Sequence, residues 1–472
     1  MSLMNPRFRI ALMMLLSVGI LLAQGGCVTD RTSLYTRSPE LLEQLRKIPA
    51  RFPNVRFIVL SDPHIYDSTL GITGDSFEAR LQRTPLLLVE SVEIFKEVIE
   101  EIRREEPDFV LVCGDLTNDG ERVSHERLAL LLEEIEEAGV SVYVVPGNHD
   151  IDNPHAEKYA VESKIVTESV SASEFAQVYR NFGYHEAGLR DPSSLSYVVE
   201  PVEGLWLIGV DSCRSRGGDS SDRGGGRIRP QTIRWLREVF LQAAREGKAV
   251  VGFVHHGILE HFSGQRRYAS EFLVQDNDRV ARFLAEHNMQ VVFTGHMHSQ
   301  DAVMQEWTDG GESIRLVDVE TGSLASFPCP FRIVDIVPGQ AFSHGKRLSP
   351  MRGSRPPPIM RIRTRYITSI ESRRRNFSRY AYRRSYQATY RAIRRRLKSI
   401  WVSDDSALIL TEWLALSVMA HFMGDEKAER NPVDPDRLGF WAKFVTRAAG
   451  ELTDGLWNDP GPSDNDVVLQ LN

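Results

Sequence analysis

Cysteine is scarce in this chain. Its 472 residues include four, Cys27, Cys113, Cys213 and Cys329, too few for a disulfide framework to carry the fold. Long apolar runs are lacking too. The run from Ile10 to Ala23 falls short of the roughly 20 residues that span a bilayer comfortably, so a bundle of membrane helices is excluded. There is no internal repeat, which excludes a solenoid. Acidic residues nearly vanish between Arg361 and Ile400, where Glu371 stands alone against fourteen Lys and Arg. This +13 block sits in a chain of net charge −7, so the remainder carries −20. Otherwise the composition, 42% hydrophobic and 26% charged, is that of an ordinary soluble globular protein, long enough for more than one domain.

The N-terminus reads as an export signal. Arg7 and Arg9 precede the apolar run, which ends in Leu22-Ala23-Gln24-Gly25-Gly26-Cys27. Small residues before a cysteine resemble a bacterial lipoprotein processing site, with Cys27 as the lipidated residue, although Gln24 is not the small or β-branched residue favoured there. A plain signal peptide or an uncleaved anchor are the other readings. All three place most of the chain outside the cytoplasm, at the bacterial cell envelope. Cys113 lies in an apolar strand and reads as a buried thiol. A disulfide between Cys213 and Cys329 stays open at this level.

After the signal (1–27) and a short linker (28–54), residues 55–345 alternate apolar strands with amphipathic helices, the pattern of a layered α/β domain. Strands are expected at Arg56–Leu60, Phe109–Cys113, Val140–Val145, Leu205–Val210, Ala249–Val254, Gln290–Phe293 and Ile314–Val319, and helices at Pro85–Arg104 and Ser124–Ala138. A linker (346–360) follows, with the run Pro356-Pro357-Pro358 that no helix or ladder can continue. The basic, Tyr-rich remainder (361–457) reads as mostly helical, with an amphipathic helix at Asp404–Met423. The Pro-, Gly- and Asp-rich tail (458–472) reads as loose.

Five short motifs fall just after predicted strands: Asp62-Pro63-His64, Gly114-Asp115, Gly147-Asn148-His149-Asp150, His255-His256 and Gly295-His296-Met297-His298. Ligands gather outside the carboxyl ends of strands in such sheets, so separate loops can converge on one crevice. Together the motifs offer enough oxygen and imidazole donors for two metal ions. Two cations neutralise the oxygens of a phosphate ester and acidify a water between them. Mixed imidazole and carboxylate donors suit Mn, Fe or Zn.

In this order the motifs resemble the calcineurin-like metallophosphoesterase superfamily, over about Phe57 to Val337. The resemblance implies a β-sheet core flanked by helices. It also implies that Asp62, His64 and His298 hold one metal, that Asn148, His255 and His296 hold a second, and that Asp115 bridges them. His255 is preferred to His256 because it directly follows its strand. His149 would serve the leaving group as proton donor or oxyanion stabiliser. The residue that orients this histidine in related chains is an Asp three positions after the bridging Asp; here Asn118 occupies that position, with Asp119 next to it.

Other groups carry weaker expectations. His256 and His261 are candidate substrate contacts, His125 a helix-opening or surface residue, and Asp211 either a support for the site or a turn cap. Glu320-Thr321-Gly322-Ser323 closes the domain. The Arg-rich stretch is expected to pack on the acidic catalytic domain, with an anionic lipid surface as the alternative partner and nucleic acid disfavoured by export. The expected function is metal-dependent hydrolysis of a phosphate ester outside the cytoplasm, either a diester or a monoester. The rivals are a membrane-anchored binding protein with a vestigial metal site and a cyclic-nucleotide phosphodiesterase, the latter weakened by export.

Overall fold

The computed structural model describes residues 32–48, 50–214, 224–309, 311–337, 342–343, 346–347, 357–397, 404–424 and 464–471. Cys27 with its signal segment and most of the Pro-rich linker lie outside the described residues. The chain divides into two units, Met1–Thr36 and Arg37–Asn472, and the second contains all five motifs.

Two sheets form the centre of this second unit. The first is built around β1 (Val55–Leu60), β2 (Phe109–Val112) and β3 (Ser141–Val144), paired in parallel. Their Val-, Ile- and Leu-rich sequences suit strands covered on both faces. The second contains β6 (Leu189–Arg190), β7 (Tyr197–Val202), β8 (Leu205–Val210), β9 (Ala249–Val254), β10 (Val291–Thr294), β11 (Asp301–Asp309) and β12 (Glu312–Glu320), in the order β11-β12-β10-β9-β8-β7-β6. Between the sheets Phe57 meets Phe293 edge-to-face at 5.5 Å and stacks on Phe109 at 4.8 Å, so one continuous apolar core joins them.

Helices close the outer faces. Ser91–Glu105 buries Ile94, Phe95, Val98, Ile99 and Ile102, the i, i+3, i+4 stripe of an amphipathic helix. It starts at Ser91 rather than Pro85, because Leu88–Glu90 forms a separate 3₁₀ turn. Arg122–Glu136 buries Leu128, Leu131, Leu132 and Ile135. Pro230–Glu246 carries Pro at its first turn and the left-handed Gly247 at its end.

The C-terminal region is less separate than its sequence implies. After β13 (Pro330–Val337), the chain returns as β14 (Ile359–Tyr366), and the tail adds β15 (Asp466–Gln470). The first sheet therefore reads β15-β14-β13-β1-β2-β3. The tail is not loose at its end. Val467 is buried while Asp466 and Val468 face solvent, so five residues pair along β14 despite the polar composition before them. Phe377–Leu397 and Asp404–Met423 are helical, as expected, and contact each other. No helix among the described residues is long and apolar enough to cross a membrane. Cys213 and Cys329 are both buried free thiols, so the open disulfide is not formed.

Candidate metal centre

Parallel pairing puts the carboxyl ends of β1–β3 on one side of the first sheet, and those of β8–β10 on one side of the second. All five motifs meet there. The backbone N–H of His296 donates to Asp62 Oδ2 at 3.0 Å, which ties the last motif to the first. Ser61 Oγ donates to the same oxygen.

One group of donors contains Asp62, His64, Asp115 and His298, whose ligating atoms lie within 4.8 Å of one another. His64 Nε2 is 3.1 Å from His298 Nε2, and Asp62 Oδ1 is 3.2 Å from His298 Nε2. The second group surrounds His255 Nε2, with Asn148 Oδ1 at 3.0 Å and His296 Nδ1 at 3.1 Å. Asp115 Oδ2 lies between the groups, 3.7 Å from His64 Nε2 and 3.4 Å from His255 Nε2. The structure thus brings together all seven residues expected as metal ligands.

The donor set fits a pair of cations. His255 uses Nδ1 on the Cys113 carbonyl at 2.8 Å, and His296 uses Nε2 on the Glu271 carbonyl at 3.1 Å. Each ring nitrogen so anchored donates to its carbonyl, so in the neutral ring the other, aimed inward, is the one free to ligate. Asp62 Oδ1 and His64 Nδ1 are buried without a hydrogen-bond partner. The carboxylates draw positive charge into the site. Burial opposes a proton on His255, but Asp115 and Asp62 outweigh it and push this group up to about 9.

The backbone is strained where it presents these groups. Asp62, His64, Asp115, His296 and His298 have φ of 49°, 41°, 47°, 75° and 65°. This left-handed region costs non-glycine residues about 1–3 kcal/mol each when the surroundings enforce it. Five such residues in one crevice are what a functional site requires and a stability core avoids. Close approach also needs glycine at position 147, where a Cβ would overlap the backbone N and Oδ1 of Asp115.

His149 sits beside the first group, its ring edge-to-face with His64 at 5.1 Å. Its backbone N–H donates to Asp115 Oδ1 at 2.9 Å, while Nδ1 bonds Asp119 Oδ1 at 3.0 Å. This corrects the expectation for Asn118, which does not touch His149. Asn118 Nδ2 instead donates to Asp119 Oδ2 and Glu121 Oε1, and Arg80 Nη2 donates to both Asn118 Oδ1 and Asp119 Oδ2. The turn after Asp115 carries the orienting carboxylate one residue later than the spacing implies. Burial works against charging His149, yet Asp115 and Asp119 push it up to about 10.

Two expected substrate contacts are corrected as well. His256 is fully buried, with Nδ1 on Ser212 Oγ at 2.7 Å and Nε2 on the Gly224 carbonyl at 3.1 Å. It supports the His296 ring, 4.5 Å away, and with both nitrogens committed it is a poorer ligand than His255. His261 is buried against acids, 2.8 Å from Asp301 Oδ2, 3.3 Å from Asp318 Oδ2 and 3.5 Å from Glu320 Oε2. Both side chains turned inward because residues distant in sequence supply partners that a loop reading cannot see, Ser212 and Gly224 in loops for His256 and acids of β11 and β12 for His261.

His125 is likewise buried, held by Tyr179 OH at 2.8 Å and the Asp150 carbonyl at 2.9 Å, and so is not a surface residue. Asp211 caps a turn by accepting from Leu195 and Cys213 N–H. Ser323 Oγ donates to the Asp62 carbonyl at 2.8 Å, so the segment after β12 does steady the first motif.

Asp150 stands inside a recognised motif but carried no expected role. Its carboxylate accepts from the N–H groups of Leu116, Thr117 and Gly147 and so clamps two ligand loops together.

Comparison with known proteins agrees with this geometry. The chain is 32% identical over 101 residues to the uncharacterized metallophosphoesterase YhaO of Bacillus subtilis, covering 21% of this chain and 23% of that protein. It is 26% identical over 201 residues to a probable glycerophosphodiester phosphodiesterase, GpdQ, of Arcobacter nitrofigilis, covering 41% of this chain and 57% of that one. It therefore spans less than two thirds of either relative. A solved dimetal phosphatase from Danio rerio aligns with 67% of this chain and 97% of its own, at a TM-score of 0.43 and 14% identity. The model of the calcineurin-like phosphoesterases matches residues 55–300, more than half of the sequence, and with all five motifs inside that match the chain belongs to the calcineurin-like phosphoesterase family.

Proposed function

We propose that this chain hydrolyses a phosphoric ester at a dinuclear metal centre, on a substrate outside the cytoplasm. The observation that carries the reading is the position of Asp115 Oδ2 between the two donor groups. Asp62, His64 and His298 would hold one ion and Asn148, His255 and His296 the other, with Asp115 shared. Two divalent ions, Mn, Fe or Zn, supply neutralisation of the phosphate oxygens and an acidified water when bound.

The protein's own groups do the rest. The strained loops fix the donors before substrate arrives, so little reorganisation is needed in the transition state. His149, oriented through Nδ1 by Asp119, would present Nε2 to the leaving oxygen and give it a proton. Arg80 Nη2 holds Asp119 Oδ2 in place, and, against the effect of burial, His149 with a lesser contribution from Arg80 keeps that carboxylate below its usual range. A diester is favoured over a monoester by the similarity to a probable glycerophosphodiester phosphodiesterase. The extracytoplasmic setting rests on Arg7, Arg9, the apolar run to Ala23 and Cys27.

Elemental analysis and turnover of aryl phosphodiester and monoester substrates test this together. After reconstitution with Mn, Fe or Zn, close to two ions per chain are expected, with the diester turned over faster, and Asp115→Asn loses most of both. A well-folded protein that takes up no metal and turns over neither substrate would instead be a binding protein with a vestigial site.

A further inference from the structure

The helix Phe377–Leu397 has two unlike faces. Phe377, Ala381, Ser385, Ala388 and Thr389 are buried, and Ser385 Oγ donates to the Pro85 carbonyl at 3.1 Å. This face docks the helix on the catalytic domain. On the other face Arg379, Arg383, Gln387, Arg391 and Arg395 are all exposed. They recur every fourth residue and so form a continuous ridge about 24 Å long. Arg374 and Arg375 extend it at the N-terminal end. No carboxylate among the described residues pairs with Arg374, Arg375, Arg379, Arg383, Arg391 or Arg395.

A second exposed feature stands nearby. The hairpin of β4 (Glu157–Tyr159) and β5 (Lys164–Val166) leaves Val161 69%, Ile165 50% and Val166 70% exposed. Its Val161 carbonyl accepts from Asp75 N–H at the start of the helix Asp75–Leu81. Just beyond the other end of that helix, Gln82 and Arg83 line a crevice of about 360 Å³ with Tyr390, Arg391 and Arg395 of the ridge. Seven helical residues, about 10 Å, thus separate the apolar hairpin from the ridge. The same short helix supplies Arg80, which bonds Asp119 beside His149. The exposed carboxylates Asp75, Glu78 and Glu162 lie on the helix and hairpin, while Glu371 stands just before the ridge and Glu412 near Tyr386.

We propose that this face rests on an anionic lipid surface, with the arginine ridge on the headgroups and the Val161–Val166 hairpin inserted among them. Peripheral binding needs two such signals, because either one alone is marginal. Arginines near an anionic surface each contribute, and their contributions add. An unpaired basic ridge costs self-repulsion in solution that an anionic partner removes. The half-buried Tyr382, Tyr386 and Tyr390, the first two stacked and the last tilted against Tyr386, suit the same boundary, apolar on one side and wet on the other. The sequence supplies an independent reason for a membrane partner in the apolar run after Arg7 and Arg9. In this arrangement the site at His149 lies close to the lipid headgroups, themselves phosphodiesters.

Vesicle sedimentation of the full chain tests this, comparing phosphatidylglycerol–phosphatidylcholine mixtures with pure phosphatidylcholine. The difference between the two vesicle types isolates the ridge from any N-terminal anchor. The excess binding to anionic vesicles is expected to fall about 100-fold in a variant with Arg379, Arg383, Arg391 and Arg395 all changed to Gln, and to fall with added salt. Val161→Asp with Val166→Asp should reduce it at least about tenfold. Both variants should keep the wild-type melting temperature, since every substituted side chain is exposed. Equal binding to both vesicle types, or anionic binding untouched by the four Gln substitutions, overturns the proposal. So does loss of binding to a single-stranded oligonucleotide in the same variant with vesicle binding intact, which would assign the ridge to nucleic acid.

Discussion

At the scale of single residues, the division of labour between Asn118 and Asp119 is the sharpest local result. Of the two, only Asp119 hydrogen-bonds the ring of His149, while Asn118 holds Asp119 and Glu121. Asp119→Ala is expected to lower kcat by about 10–100-fold, the scale for losing a group that orients a working histidine, with metal content unchanged. Asn118→Ala should cost less than about threefold. Steady-state kinetics on a metal-loaded preparation decides this, and equal losses in the two variants would return the orienting role to Asn118. The five motifs were legible in the sequence because each follows an apolar strand directly, and the choice of seven donors within them is what the resemblance to the metallophosphoesterases implied. The fates of His256 and His261 were not legible. A histidine in a loop gives no sign of whether a serine hydroxyl or a carboxylate waits for it elsewhere in the fold.

At the scale of elements, the strand–loop units do the positioning. Each strand is rigid and buried, and the turn after it is forced into left-handed backbone at Asp62, Asp115 and His296. Glycine at 147 lets the loop after β3 lie against Asp115. Gly147→Ala pushes those loops apart, and displacement on the order of 1 Å at such a site costs about 10²-fold in rate. Loss of at least one metal ion is expected with that fall in activity, while circular dichroism stays native. Retained metals and full turnover would show that the crossing of the two loops is unimportant. The seven strands expected from the sequence were placed to within two residues, since β-branched runs bounded by Gly and Pro leave few alternatives, whereas β7, β11 and β13 to β15 were not anticipated.

At the scale of the whole molecule, the C-terminal region is part of the catalytic unit. β14 pairs with β13 along eight residues, and β15 covers β14 in turn. Arg332 is fully buried and donates to the carbonyls of Asp301, Glu320 and Asp464. Truncation before Ser349 therefore strips the sheet of two strands and takes two acceptors, the Asp464 carbonyl and Thr364 Oγ1, from a buried guanidinium. Such a loss costs several kcal/mol, and a melting temperature lower by about 10 °C or more, or insoluble protein, is expected. A truncated enzyme that melts at the full-length temperature would contradict this role. The helical hairpin alone would not have the same consequence, because its removal leaves the sheet paired.

What the sequence determined by itself was local and repetitive. Alternation of apolar runs with amphipathic stretches specified a layered α/β domain. The chemistry of the ligand loops was also written in short contiguous motifs, since a donor, its glycine and its strand are neighbours in the chain. The tertiary structure decided everything that depends on distant partners. It gave Asp115 its place between two donor groups that each draw on loops of both sheets, assigned His149 to Asp119, and turned His261 inward to three carboxylates. It also returned residues 359–366 and 466–470 to the first sheet across the Pro-rich linker. Pairing between strands far apart in sequence is selected by burial and by unsatisfied backbone groups at a sheet edge, and neither quantity exists until the chain has folded.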